Sequence, residues 1–166
     1  MSTDTGCFRY SNTTARTLRT AASCLEAGAD SYPINMKFFE TTRLSRLKLN
    51  AYMVQNMELY KDGKIVLCRI PLDVEHGCGV TEDDMDNIAN FARNIEGVEL
   101  AVTFRTDYAG DTKLSVRSAP GYNAAQICAA LGGGGHVAAA GARVRCGQEE
   151  ARDKVLEILK EQGYLS

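Results

Sequence analysis

The sequence predicts an α/β protein, in which a mixed sheet with hairpins and crossovers is flanked by helices. Two observations predict it: short segments of alternating hydrophobicity separated by turn residues, and longer segments with apolar residues at helical spacing between them. The 166 residues are 45% hydrophobic and 24% charged, which is typical of a globular domain with a sizeable core. No apolar stretch approaches the ~20 residues of a membrane span, so we expect no membrane partner.

The first third of the chain is predicted to be helical. Residues 12–14 (Asn-Thr-Thr) can cap a helix that ends near Gly28. Its apolar positions are Leu18, Ala21, Ala22 and Leu25. After a break marked by Pro33, a second helix is predicted from apolar residues at helical spacing, Leu44, Leu47, Ala51 and Val54. Because nothing upstream can cover the first helix, we expect residues 1–40 to be the tail of another domain plus a linker, and 41–166 to form the main domain.

The middle of the chain alternates between strands and helices. Asp62-Gly63 predicts a hairpin turn between strands at 57–60 and 64–70, and residues 73–80 are predicted to form a loop. Thr81 and Asp84 resemble a capping box that opens a helix. The apolar face of that helix comprises Met85, Ile88, Ala92 and Ile95.

The last third predicts the remaining strands. Alternating apolar residues at 98–104 predict a half-buried strand, and residues 107–111 predict a turn that leads to a strand at 112–118. Asn123 can cap a helix that continues to Leu131. A strand around 140–146 and an amphipathic helix at 149–162 complete the fold, with Gly163 just past the end of that helix.

Four consecutive glycines, 132–135, precede His136. Successive glycines let backbone N–H groups converge on a ligand, and a histidine beside them can donate to a phosphate. We therefore predict that Gly133, Gly134, Gly135 and His136 bind phosphate; a flexible turn remains the alternative. The run lacks the Lys-Ser or Lys-Thr of a P-loop and does not fit the dinucleotide fingerprint.

Arg117 and Ser118 stand at the end of a predicted strand, on which Lys113, Ser115 and Arg117 share one face. An arginine with a serine beside it can form a fork for an oxyanion, so we predict that Arg117 and Ser118 also bind the phosphate; an exposed edge with solvated charges has the same pattern. One short predicted helix separates Arg117-Ser118 from the glycines, so the fold can bring them together. Residues 101–147 carry five bases against two acids, whereas 62–100 carry three against nine, which favours an anionic ligand near the glycines.

Other features exclude function classes. The net charge of −2 argues against a general nucleic-acid binder. The six cysteines match no zinc spacing and predict a reducing, cytoplasmic location without structural disulfides. His76 and Cys78 are too few to hold a metal.

Residues 114–118 and 121–144, LSVRS and GYNAAQICAALGGGGHVAAAGARV, resemble the C-terminal domain associated with the DHH phosphoesterase family. That family includes RecJ-like exonucleases and the smaller nanoRNase/pAp phosphatases. Residues 3–14, TDTGCFRYSNTT, resemble the last motif of the catalytic DHH domain. The resemblance implies that Asp4 is a metal ligand and that Gly6 and Phe8 shape its turn. Val137 stands where many relatives carry a basic or polar residue, which leaves the substrate contact there open.

The resemblance further implies a cytoplasmic hydrolase that uses Mn²⁺ or Mg²⁺ and acts on short oligonucleotides or pAp-like nucleotides. The sequence has no Asp-His-His triplet, and its only histidines are His76 and His136. We therefore expect the C-terminal, substrate-binding part of a longer enzyme, with no complete catalytic site and no retained metal. Its expected partners are the nucleotide, the missing N-terminal DHH domain and a second copy in a homodimer.

Two other functions stay open at this point. The chain could be a nucleotide-binding module only, or part of a cyclic-dinucleotide phosphodiesterase of the same superfamily. Mn²⁺-dependent activity of the chain would distinguish an enzyme from a binding module. An upstream sequence with an Asp-His-His triplet, and with or without apolar spans, would distinguish the nuclease from the cyclic-dinucleotide phosphodiesterase.

Overall fold

A computed structural model describes residues 1–85 and 87–165. The chain divides into two compact units, Met1–Arg43 and Leu44–Ser166. Among the described residues, no helix is both long and apolar enough to cross a membrane.

The first unit is helical. Helix α1 (Ala15–Glu26) begins after Thr14, whose side chain accepts a hydrogen bond from the Thr17 N–H, so the predicted helix and cap are confirmed. A short helix α2 (Tyr32–Asn35) and a π-helical turn (Met36–Glu40) follow. No residue of α1 is buried, and Leu18 and Leu25 are 51% and 54% exposed.

The second unit is a six-stranded sheet with helices on both faces. Its helices, in chain order, are α3 (Leu44–Asn56), α4 (Leu72–Cys78), α5 (Glu82–Met85), α6 (Ile88–Arg93), α7 (Ala124–Ala129) and α8 (Gln148–Glu161). Its strands are β1 (Glu58–Tyr60), β2 (Ile65–Ile70), β3 (Leu100–Thr106), β4 (Thr112–Ser118), β5 (Gly134–His136) and β6 (Ala139–Val144).

The strand order is β1-β2-β3-β4-β6-β5. Only the β2–β3 pair is parallel among the described strand pairs, because the α4–α6 segment crosses over between these two strands, and the other four pairs are antiparallel. The predicted mixed sheet with hairpins and flanking helices is confirmed.

Each face of the sheet has its own core. On one face, strand residues such as Val102 and Val116 pack with Ile127 of α7 and Val155 of α8. On the other face, Val66 and Ala101 pack with residues of α3, α5 and α6. We call the face that bears Val66 and Ala101 the α6 face and the opposite face the α7 face.

Four sequence predictions in this unit need correction. Residues 73–80 were expected to form a loop, but most of them form α4, which ends at Gly79 with a φ of 68°. The buried Glu75 of α4 accepts two hydrogen bonds from Arg105 of β3, at 3.0 and 3.2 Å. This long-range pair holds the helix against the sheet and is invisible in the local sequence.

The apolar face expected for α3 is the second correction. Leu44, Leu47 and Val54 are 68%, 51% and 51% exposed, and Leu49 and Met53, spaced i, i+4, are buried instead. Ser45 donates to an Asp84 carboxylate oxygen at 3.0 Å, which fixes the rotation of α3 against α5.

The third and fourth corrections concern the strand at 98–104 and the helix before it. Strand β3 is buried on both faces rather than half-buried, because it lies between two strands and two helical layers. The single helix predicted after Thr81 is two helices, α5 and α6, with Asn87 between them at a φ of 56°. The Thr81 N–H donates to the Asp84 carboxylate at 2.9 Å, as a capping box requires.

Candidate functional site

The strand register brings the sequence-predicted residues Arg117 and His136 into one row. Arg117 of β4 is opposite Ala139 of β6, and Ala139 is opposite His136 of β5. Residues directly opposite each other in a sheet present their side chains to the same face. Arg117 and His136 therefore share a face, two strand spacings or about 10 Å apart, with only a methyl group between them.

This shared face is the α6 face, because Arg117 is also opposite the core residue Ala101. The neighbouring row consists of Ser115, Gly141 and Gly134. Between Arg117 and His136 the surface is thus made of glycine and alanine only, and Gly134 and His136 are exposed. We call this surface the floor and define it as Gly134, His136, Ala139 and Gly141.

The Arg117 side chain is held at the rim of the floor by two hydrogen bonds. Its Nε donates to Asn90 Oδ1 of α6 at 2.9 Å, and its Nη1 donates to the Val116 carbonyl oxygen at 3.1 Å. No carboxylate of the described residues pairs with Arg117. A half-buried, un-neutralised guanidinium next to an open surface is suited to bind an oxyanion.

Ser118 is tied to the turn that follows His136. Its hydroxyl donates to the Val137 carbonyl oxygen at 2.7 Å, and its backbone N–H donates to Ala138 O at 3.0 Å. A serine hydroxyl has one proton to donate. Because the hydroxyl hydrogen is already donated to the Val137 carbonyl oxygen, Ser118 in this arrangement positions the β5–β6 turn.

The last two glycines of the run, Gly134 and Gly135, form an edge strand with His136, which the sequence did not predict. A Cβ on Gly133 would lie 2.2 Å from Gly141 O, and one on Gly135 would lie 2.6 Å from Ala140 Cα, so both glycines permit the close approach of β5 to β6. A Cβ on Gly134 would meet nothing within 4 Å. Alternate amides of an edge strand have no strand partner, and they remain available to a ligand.

His136 is exposed at the end of β5. Over residues 1–85 and 87–165, the His136 ring makes no hydrogen bond or ion pair. It is therefore accessible for a ligand lying on the floor.

The Cys128 thiol, on α7 behind the floor, is not a candidate nucleophile. It is fully buried, and burial raises its pKa to about 11 even though the charge of Arg117 acts in the opposite direction. Its thiolate is therefore scarce at neutral pH.

Asp4, the predicted metal ligand, lies in the first unit. Its side chain is 83% exposed, and a carboxylate oxygen is 3.7 Å from the Met1 amino group. No group of three or more His, Cys, Asp or Glu side chains is close enough to hold a metal in the part of the chain that is described. A two-metal site requires several such ligands, so these residues do not form one.

Gly6 and Phe8 do shape a tight turn after Asp4. Gly6, Cys7 and Phe8 have φ values of 56°, 56° and 64°, and a Cβ on Gly6 would lie 2.3 Å from the Tyr10 ring. The buried Thr5 hydroxyl accepts from the Phe8 N–H at 3.0 Å. The turn is thus defined by local contacts, and the role of Asp4 stays a prediction.

The profile of the DHHA1 domain matches residues 62–162. The chain belongs to the DHHA1 domain family. This match spans strands β2 to β6, including Arg117, the glycine run and His136, and it confirms the resemblance to the DHH-associated C-terminal domain.

Two curated relatives match nearly all of the chain. It is 33% identical to the bifunctional oligoribonuclease and PAP phosphatase NrnA of Thermus thermophilus, covering 98% of this chain and 50% of the relative. The NrnA of Bacillus subtilis is 29% identical, covering 95% of this chain and 48% of the relative. The chain thus spans about half the length of the curated relatives it matches.

A solved structure has the same fold. The exopolyphosphatase-related protein from Bacteroides fragilis superposes with a TM-score of 0.82 and 28% sequence identity. The match covers 98% of this chain and 48% of that protein. Both the DHHA1 domain of this chain and the segment before it are therefore similar to parts of the Bacteroides protein.

Sequence reasoning missed Asn90, which contacts Arg117 from 27 positions away. In the sequence it is one polar residue on a predicted helix. Only the packing of α6 against β4 shows what it touches.

Proposed function

We propose that this DHHA1 domain is the substrate-binding part of a metal-dependent phosphoesterase that hydrolyses short oligonucleotides or pAp-like nucleotides. The nucleotide lies on the floor, with a phosphate held by the Arg117 guanidinium and by His136. Free amides of β5 add backbone donors along the edge. The relatives named as oligoribonuclease and PAP phosphatase support this substrate class.

The observation that carries the proposal is the Arg117–Ala139–His136 row. Two side chains able to donate to an oxyanion share one face, and the residues between them are too small to exclude a ligand. Arg105, Arg143 and Arg152, by contrast, are each paired with a carboxylate.

Hydrolysis is assigned to a longer protein in which a DHH domain supplies the metal ligands. Mn²⁺ or Mg²⁺ would polarise the phosphoryl oxygen and lower the pKa of the attacking water there. The residues of this chain bind and orient the nucleotide. A cytoplasmic location and a homodimer remain proposals of the same kind.

Titration of the 166-residue chain with a labelled dinucleotide and with pAp tests the binding function. We expect micromolar binding, weakened about tenfold, or ~1.4 kcal/mol, by Arg117→Ala and by His136→Ala. Lys113→Ala is the matched control, because Lys113 is an exposed cation on the same face of β4, four residues from Arg117. This control should bind a dinucleotide like the unaltered chain.

Two results overturn the proposal. If the unaltered chain does not bind either nucleotide, the domain does not grip the substrate by itself. If Arg117→Ala and His136→Ala bind as tightly as the unaltered chain, the floor is not the binding surface.

A further inference from the structure

We propose that Asn90 is a positioning residue that aims Arg117 at the phosphate and preserves its charge. This inference rests on the proposed function, since it concerns the same guanidinium. It assigns to α6, an element without any predicted site residue, an indirect part in nucleotide binding that acts through Arg117.

The hydrogen bonds of Arg117 determine which of its edges faces the ligand. A guanidinium has five N–H donors. The Nε donor is taken by Asn90 Oδ1, and one Nη1 donor is taken by the carbonyl oxygen of Val116. The donors that remain are one on Nη1 and both on Nη2. An oxyanion can therefore approach the Nη1–Nη2 end, whereas the Nε side is closed to it.

Asn90 can fix this orientation because it stands on a well-packed helix. Its neighbours Ile88, Ala89 and Ala92 on α6 are buried against the sheet, so the helix does not rotate freely. The Asn90 N–H donates to Asn87 O at 2.9 Å, and the Asn90 carbonyl oxygen accepts from the Asn94 N–H at 3.0 Å. The side-chain amide thus projects from a fixed backbone.

The neutral amide also preserves the charge of Arg117. Arg105, Arg143 and Arg152 are each fixed by carboxylates, which neutralise them. An asparagine supplies the same acceptor oxygen as an aspartate without the negative charge. The guanidinium is therefore both oriented and available for charge-assisted hydrogen bonds to a phosphate.

Two variants of Asn90 separate orientation from charge. Asn90→Ala removes the acceptor, and Asn90→Asp keeps an acceptor of the same shape but neutralises Arg117. We expect both to weaken dinucleotide binding by several-fold. For Asn90→Asp, the affinity should also fall less steeply with salt concentration than in the unaltered chain, because the aspartate neutralises the charge that attracts the phosphate.

Asn94→Asp is the matched control. Asn94 is exposed and one helical turn from Asn90, so the substitution makes the same change in net charge without contacting Arg117. It should leave the affinity and its salt dependence nearly unchanged. Urea denaturation of every variant verifies that α6 still packs.

A spectroscopic measurement reports on position independently of binding. In ¹H–¹⁵N spectra the Nε–H of Arg117, assigned by its loss in Arg117→Ala, should be sharp in the unaltered chain. It should shift and broaden in Asn90→Ala, because the Nε–H then exchanges with solvent.

The outcomes distinguish the two proposals. If Arg117→Ala weakens binding but both Asn90 variants bind like the unaltered chain, Asn90 is not a positioning residue and the proposed function stands. If Arg117→Ala itself has no effect, the proposed function fails. The double variant Asn90→Ala/Arg117→Ala completes the comparison. If Asn90→Ala weakens binding by the same factor in the unaltered chain and in Arg117→Ala, Asn90 acts independently of Arg117 and the inference is overturned.

Discussion

At the residue scale, neighbouring glycines of the run have different roles: some allow two strands to pack closely, and one leaves space for a ligand. Gly133 and Gly135 face the backbone of β6 at distances that exclude a side chain. Gly134 faces open space on the floor. The same residue type therefore serves packing at two positions and leaves room for a ligand at the position between them.

This division predicts opposite behaviour for two alanine substitutions. Gly135→Ala should destabilise the fold by about 1–3 kcal/mol, because the new methyl meets the Ala140 backbone and the φ of 149° disfavours a side chain. Gly134→Ala should leave stability nearly unchanged and weaken dinucleotide binding several-fold, because its methyl lies on the floor.

Urea denaturation and the nucleotide titration measure the two effects. An unaltered affinity in Gly134→Ala would show that the ligand does not lie against β5. An unaltered stability in Gly135→Ala would contradict the close approach of β5 to β6.

The sequence suggests which residues form this candidate site but not how they are arranged. Arg117 and His136 are predicted because their residue types suit an oxyanion and because a short helix separates them. That they share a face depends on the register of three strands, and a one-residue shift would move either side chain to the α7 face. The strand conformation of Gly134 and Gly135 and the contact from Asn90 depend on the same long-range packing.

At the element scale, strand β1 is tied to β2 and α8 through one carboxylate. Glu58 accepts hydrogen bonds from Tyr60 at 2.6 Å and from Arg152 at 2.9 and 2.7 Å, and Arg69 lies 3.2 Å away. Burial raises the pKa of Glu58, but the hydrogen bonds from Arg152 and Tyr60 and the charges of Arg152 and Arg69 outweigh it. The net direction is below the ordinary value of 4.5.

A lowered carboxyl pKa determines the sign of the pH dependence. The stability that Glu58 contributes is present above pH 4.5 and is lost as the pH falls through its folded-state pKa. Glu58→Gln should therefore be less stable at pH 7, by about 1–3 kcal/mol, and should lose less stability than the unaltered chain below pH 4.5.

Urea denaturation at a series of pH values measures this difference. Glu150→Gln is the control, because Glu150 forms an exposed pair with Lys154 one turn along α8, and such pairs contribute about 0–1 kcal/mol. Parallel pH profiles for Glu58→Gln and the unaltered chain would contradict the stabilising role of Glu58.

The elements themselves were predicted well where local signals decide them. Thr14, Asn123 and the Asp62-Gly63 turn stand where helices begin or strands reverse, as expected. The errors fall where distant contacts decide. The pair of Glu75 with Arg105 stabilises α4 in a segment that contains glycines, and the contact of Ser45 with Asp84 selects which face of α3 is buried.

At the scale of the whole molecule, binding and hydrolysis are expected to separate. The relatives named as hydrolases are about twice as long as this chain, and the described residues form no cluster of metal ligands. We therefore expect the 166-residue chain to bind a dinucleotide without Mn²⁺-dependent cleavage.

Incubation with labelled dinucleotide and Mn²⁺, followed by chromatography of the products, measures this. Arg117→Ala distinguishes cleavage by the chain from cleavage by a contaminant, since only the former depends on Arg117. Mn²⁺-dependent cleavage that Arg117→Ala abolishes would show that this chain is an enzyme by itself.

The two strands at the borders of the sheet, β1 and β5, are each three residues long. A long unpaired border strand is a template on which other chains add strands and aggregate. Three residues offer few backbone groups for such pairing, and the two glycines of β5 disfavour an extended partner further. The border that carries His136 can therefore stay open to a small ligand while offering little backbone for another chain to add a strand.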